Sequence, residues 1–422
     1  MTSYKNKLFF AVLFYLPMTL VSYGQKSVNF DAIQPIIQNN CVTCHRPGGM
    51  GPFSLLTYED VFSRGKFIAH VTSTKYMPPW KADPSFQSYK NERLLKPEEI
   101  QLIQNWVSSG MKKGKKKSKS ITFSEETKKL EPDLTLSMTK TFSIPDKGVE
   151  EFRFFSIPTN LATDMHLSGV DFVPGNKKQV HHSRIMVDST QRIRGIDGLS
   201  ELDPKIKEFQ KIPLADEFLY GWVPGNEGIS FPAGTGKRIG KGSDLILNIH
   251  YSPTSKKQED LSKINLYFTK SPVEREVKTL TLRENDISNQ PFLIPANSLK
   301  TFYVSYTIEE DISLISIMPH MHFLGKSFQA LAATPDGSAI PLIKIDSWDF
   351  NWQSTYVFQN LLKIPAGSII IMQATYDNTA ANPANPNNPV KEVGYGWNST
   401  DEMCNLVIYY VDYRNGDEEI KN

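Results

Sequence analysis

Hydrophobic positions along the chain change their period once. As far as about residue 110 they recur every three to four residues; from about Leu130 they alternate with polar ones in short runs. The first part predicts three helices. Phe30 to Gln38 is short and amphipathic. Thr57 to Thr72 is the second helix, with Thr57 as N-cap and Asp60 three residues later. Pro97-Glu98-Glu99 opens the third, with proline in the first turn and acids against the positive helix end. Ile100, Ile103 and Val107 give it an apolar stripe, and Gly110 ends it.

The alternating part predicts strands such as Phe152 to Ile157, Asp244 to His250 and Ile312 to Ile317. Turn signals such as Pro174-Gly175-Asn176 and Pro232-Ala233-Gly234 separate them. About 290 residues of this pattern exceed one β-sandwich. Two sandwiches in series are expected, joined near Glu284 to Asn297. The expected fold class is therefore multidomain, a small all-α domain (25–111) followed by two all-β sandwiches (130–288 and 289–422). A lysine- and serine-rich stretch, 112–129, reads as a solvated tether between them.

Residues 1–24 read as a secretory signal. Lys5 and Lys7 precede the apolar run Leu8 to Val21, and Ser22-Tyr23-Gly24 offers small residues for cleavage. The run of about 14 apolar residues is short of the ~20 a spanning helix needs. Export to a periplasm without stable membrane insertion is expected. A net charge of +2 gives no argument for nucleic acid. Three cysteines are too few for a disulfide framework.

Two of those cysteines have another use. Cys41-Val42-Thr43-Cys44-His45 is the c-type haem attachment motif: the thiols add to the vinyl groups and the histidine becomes an axial ligand. A redox or zinc CxxC site is the alternative. Met77, in Tyr76-Met77-Pro78-Pro79-Trp80, is the candidate sixth ligand. His70 competes from inside the second helix, and Met50 lies close to the attachment site in sequence. The stretch from Arg46-Pro47-Gly48-Gly49 through Met77-Pro78-Pro79-Trp80 resembles cytochrome c domains fused to other exported bacterial enzymes.

Of eight histidines, five more gather at strand ends. His320 and His322 are two apart, so on a strand they share a face with Cα atoms roughly 6.7 Å apart. His181 and His182 are adjacent and can share a metal only where a strand ends or bulges. His250 ends an apolar strand, and three imidazoles suit copper or zinc. His182 facing the metal beside a bystander His181 is the alternative. Met403 is the candidate third ligand beside His320 and His322, since two imidazoles and a soft thioether favour copper; core packing is the alternative. His166 reads as structural, and Cys404 as a buried thiol.

Val180-His181-His182, Ile249-His250-Tyr251, His320-Met321-His322-Phe323-Leu324-Gly325-Lys326 and Asp401-Glu402-Met403-Cys404-Asn405-Leu406 resemble motifs of the copper type II, ascorbate-dependent monooxygenases. Trp222 with Pro232-Ala233-Gly234-Thr235-Gly236 adds to the likeness. The resemblance implies jelly-roll-like sandwiches with one copper each. It implies that His181, His182 and His250 hold an electron-supplying copper. His320, His322 and Met403 would hold the copper where O2 meets the substrate C–H bond. The expected cofactors are two copper ions, one covalent haem c, and ascorbate or another one-electron donor; the partners are a small-molecule substrate, O2 and a periplasmic electron donor. Relatives that hydroxylate peptides hold a substrate carboxylate at positions that here are Met318 and Val407. Both are apolar, so a small neutral substrate is expected. A non-catalytic redox or copper carrier is the alternative from another class.

Overall fold

The computed structural model describes residues 28–114, 130–209, 218–226, 228–396 and 398–422. The expected signal (1–24) and most of the basic tether lie outside the described residues. Three helices come first: α1 (Phe30–Asn40), α2 (Tyr58–Ser73) and α3 (Pro97–Ser108). Thr57 Oγ1 accepts from Asp60 N–H at 3.0 Å and the Asp60 carboxylate accepts from Thr57 N–H at 3.2 Å, a closed capping box. Phe30, Ile33, Ile37, Val61, Ile103 and Trp106 are buried where the helices meet.

The rest of the described chain is strand and loop, apart from one short α-helix, α4 (Pro204–Phe209), and short 3-10 turns at Arg192–Ile196, Glu284–Asp286 and Asp417–Glu419. Its first half forms a six-stranded and a five-stranded sheet. The five-stranded sheet runs Leu199–Ser200, Glu151–Pro158, Asp244–Tyr251, Val180–Asp188, Phe218–Trp222. The second half contributes two four-stranded sheets. One runs Lys278–Leu282, Asn405–Asp412, Ile312–His320, Tyr356–Ile364; the other runs Ser298–Thr307, Ile369–Asn378, Gly325–Ala333, Ala339–Ile345.

The first of these four-stranded sheets is buried on both faces. Along Asn405–Asp412, Leu406 and Ile408 point into the second-half core, while Val407, Tyr409 and Val411 point into the first-half core. Ile315 and Met318 do the same from Ile312–His320. Such a layer needs near-continuous apolar runs rather than alternation, as Ile312 to Met318 supplies with only the small, buried Ser313 and Ser316 between its apolar residues. Tyr409 anchors the contact: its hydroxyl donates to the carbonyls of Leu219 at 2.6 Å and Phe218 at 3.1 Å.

This architecture corrects the expected fold class. The chain is mostly β, with four α-helices among the described residues and no separate all-α cytochrome c domain. After α2, residues 74–96 hold no helix and leave the helical core. Trp80, Ala82 and Tyr89 are buried in the second-half β core instead. Nor are there two self-contained jelly-roll-like sandwiches in series, because one sheet serves both cores. Pattern alone could not show this: alternation gives the faces of a strand, not what covers each face.

Candidate metal centres

The first cluster is made by a β-bulge. Strands Asp244–Tyr251 and Val180–Asp188 pair with His250 opposite His182 and Tyr251 opposite Val180, so His181 is the unmatched residue. The bulge turns both neighbouring imidazoles to one side. His182 Nδ1 lies 3.3 Å from His181 Nδ1 and 3.3 Å from His250 Nδ1. Two nitrogens each about 2.0 Å from one ion at a tetrahedral angle are about 3.3 Å apart, so the spacing fits a shared metal. All three ligand atoms fall within 4.8 Å of one another. Phe152 stacks on His250 at 4.0 Å, and the Glu150 carboxylate lies 3.5 Å from His250 Nε2. Burial pushes the His181 imidazole down to about 4 and His182 well below its usual value, with His250 adding to both. Both rings are neutral near pH 7, the form a metal requires.

His320 ends its strand, and His322 follows two residues later in the turn before Gly325–Ala333. Their rings are 5.1 Å apart and nearly perpendicular. Gln353 Oε1 lies 2.5 Å from His320 Nδ1, while the buried His320 Nε2 has no hydrogen-bond partner. An orphaned buried nitrogen is what a ligand without its ion looks like. Asp401 O lies 3.1 Å from His322 Nδ1. Burial lowers both imidazoles, His322 to about 4 and His320 well below the usual range. Met403 is buried and lines the same cavity as His320, His322 and His182.

The two groups are neighbours across one ring. Phe350 meets His182 edge-on at 5.3 Å and His322 at 5.7 Å. Sequence reasoning missed Gln353, which sits with Phe350 in a loop without strand periodicity. It also missed Arg184. That residue reaches the site from the strand Val180–Asp188, with Nη1 3.9 Å from Met403 Sδ. Arg184 lines both the shared cavity and a second one of about 400 Å3 beside Met403, where Asn405 and Val407 also lie. Met318 and Val407 are buried and apolar as their residue types require. The wall nonetheless carries a cation, supplied by a different strand.

The elements of the haem motif are also placed together. Cys41, Cys44, His45 and Met77 line one further cavity, and Met50 lines it too. The Phe53 carbonyl lies 3.2 Å from His45 Nδ1, which fixes the ring and leaves Nε2 available to a ligand. Burial raises both thiols, Cys41 to about 12. His70 is exposed on α2 and is not brought there; His166 belongs to neither histidine group. Cys404 is buried and free. No described helix is long and apolar enough to cross a membrane.

Comparison with known proteins bears on this geometry. Residues 297–420 match the family described as copper type II ascorbate-dependent monooxygenase, C-terminal domain. His320, His322 and Met403 all lie within the matched region. "Putative DBH-like monooxygenase protein 2" of Homo sapiens is 24% identical over 257 residues, 57% of this chain and 48% of that protein. The chain thus spans about half the length of the curated relative it matches. Among solved structures, the VP2 subviral particle of infectious bursal disease virus is 10% identical over 67% of this chain and 72% of its own, with a TM-score of 0.19. The Gt strain structure of the same virus is 12% identical over 71% and 75%, with a TM-score of 0.18. Likeness at that level carries no argument.

Proposed function

We propose that the protein is an exported, copper-dependent monooxygenase that hydroxylates a C–H bond of a small substrate, with electrons arriving by way of a c-type haem. The observation that carries this reading is the shared cavity: one imidazole of the three-histidine group and the His320–His322–Met403 set face the same space across Phe350. The overall change balances as C–H plus O2, two electrons and two protons to C–OH and water. Copper, when bound, supplies one-electron transfer and O2 activation, and haem supplies one-electron storage. His181, His182 and His250 would hold one copper; His320, His322 and Met403 would hold the other. Cys41 and Cys44 would form the haem thioethers, with His45 and Met77 as axial ligands. Gln353 and the Asp401 carbonyl orient the two imidazoles of the second set. Phe350 and Met318 give that space an apolar wall beside the Arg184 cation, and polar contacts against it are strengthened.

Met318 and Val407 favour a neutral substrate, because an anion placed against them keeps its desolvation cost without a charge-assisted hydrogen bond. Arg184 is the group on the same wall that would hold an anion. A neutral aromatic or aliphatic panel and a glycine-extended peptide, offered side by side under one reductant with product scored by mass, decide between them. Two coppers and one pyridine-haemochrome-positive haem per periplasmically matured chain are expected. His322→Ala and Met403→Ala abolish turnover with the fold retained. Zinc at both sites, or a chain that binds copper and never oxygenates any compound, leaves the carrier reading standing instead.

A further inference from the structure

The cavity at Cys41 and Cys44 is not closed by the helical segment alone. Its volume is about 400 Å3, within the range of small-molecule and cofactor sites. The helical part contributes mainly apolar wall, Ile68 and Val71 from α2 and Phe53 from the loop before it. The β half contributes Lys177, Lys178, Val180, His181 and Trp352. Lys177 already spans the junction, its Nζ donating to the Gly48 carbonyl at 3.3 Å. Gly51 has a steric role: a Cβ there would lie 2.7 Å from His45 Nδ1, so only glycine leaves room for that ring. His181 belongs to two structures at once, this wall and the three-histidine group.

We infer that a haem attached at Cys41 and Cys44 is enclosed by both halves of the chain, with Lys177 and Lys178 as cationic partners of its two propionate carboxylates and His181 as the wall it shares with the three-histidine metal site. The inference rests on the haem reading above. It adds that the two cofactor sites are in direct contact. An apolar cavity needs cationic groups at its rim to take two carboxylates, and the paired lysines are the cations the β half contributes to this wall. A positive charge across one imidazole, in surroundings of low dielectric, must also be felt at the haem.

The test uses the full-length, haem-loaded protein and a redox-inert probe. Zn(II) is titrated onto the three-histidine site while the haem midpoint potential is followed by spectroelectrochemistry. Zinc cannot exchange electrons, so a shift reports proximity and charge alone. The potential should rise on zinc binding, since added positive charge favours the reduced haem. In the exposed double variant Lys177→Glu/Lys178→Glu it should fall. With Cu(II) in place of zinc, the ferric haem should shorten the relaxation time of the copper EPR signal. Stoichiometric zinc binding with an unchanged potential and unaltered copper relaxation overturns the shared wall. An unchanged potential in the charge-reversed variant overturns the lysine assignment. A chain that leaves a c-type maturation system without covalent haem overturns the haem reading itself, a separate result read from the haemochrome spectrum.

Discussion

Met403 is held by hydrogen bonds that join its local motif to distant groups, Glu284, Tyr376 and the turn at His322. Glu402, fully buried, accepts from the backbone N–H groups of His322 at 2.8 Å, Leu324 at 2.7 Å and Met403 at 3.3 Å. Glu284 accepts from Cys404 N–H at 2.7 Å and from Asn405 Nδ2 at 3.0 Å. The Tyr376 hydroxyl donates to the Met403 carbonyl at 2.7 Å. Cys404 being a free thiol, this set does the work a crosslink would do, tying the histidine turn to the methionine. Glu402→Ala leaves three buried donors without an acceptor, each costing roughly 1–3 kcal/mol. Urea unfolding should show a loss of a few kcal/mol, and the variant should lose copper from the His320–His322–Met403 set before the other. Equal copper retention at both sites would show that Glu402 has no positioning role. Gln353→Ala removes two bonds, the one at His320 Nδ1 and the one its Nε2 donates to the Phe350 carbonyl at 2.9 Å. With His320 Nδ1 released, copper affinity at that set should drop about 10–100-fold, as for other groups that orient a ligand. Competition titration against a chelator measures this, and Gln353→Glu should recover part of the loss.

At the scale of elements, legibility depended on range. The helices were readable because capping and 3.6-residue periodicity are local: Thr57, Asp60 and Pro97 mark their own positions. Histidines at strand ends were readable for the same reason. The bulge at His181, in contrast, is a property of two strands about seventy residues apart, and sequence could say only that a strand end or a bulge was needed. Arg184 was invisible because Met403, which it approaches, lies more than two hundred residues on, in the loop before the strand Asn405–Asp412. Glu201 was equally silent. It follows the short edge strand Leu199–Ser200 and is buried near Asp401, Glu150 and Glu151. Burial first, then those like charges, raises its carboxyl from an ordinary 4.5 to about 8. The folded state therefore binds a proton that the unfolded state has released between those values. Stability from this group is fully present below about pH 4.5 and declines as pH rises towards 8. Denaturant titrations from pH 5 to 8.5 should show that negative slope, and Glu201→Gln should flatten it. An unchanged slope in the variant would assign the effect to other buried acids.

The whole molecule is bound together by a segment with almost no regular structure. Between α2 and α3 the chain crosses to the second-half core, where it meets the strands Ala339–Ile345 and Tyr356–Ile364. Trp80 packs edge-on against Tyr356 at 5.0 Å, and Tyr89 lies 5.1 Å from Tyr356 and 5.7 Å from Phe358. The Tyr89 hydroxyl donates to the Leu342 carbonyl at 2.6 Å, and backbone bonds join Asp83 N–H to Lys344 and Lys90 N–H to Val357. These contacts make the segment part of the β core rather than a passenger on it. A fragment starting at residue 130 would leave Tyr356, Phe358 and the Leu342 carbonyl uncovered, an apolar patch with a buried acceptor opened to water. It should melt well below the full chain and bind a hydrophobic dye in its native state. Tyr89→Ala isolates the effect without removing the haem motif. Removing a fully buried aromatic typically costs about 3–5 kcal/mol, and that loss should appear in the unfolding of the β half. If the chain carries the haem proposed above, its spectrum at low denaturant should not change, because Tyr89 does not line the cavity at Cys41 and Cys44. If the fragment were as stable as the full chain, residues 76–96 would be only resting on the core, and the integration of helical and β parts described here would be wrong.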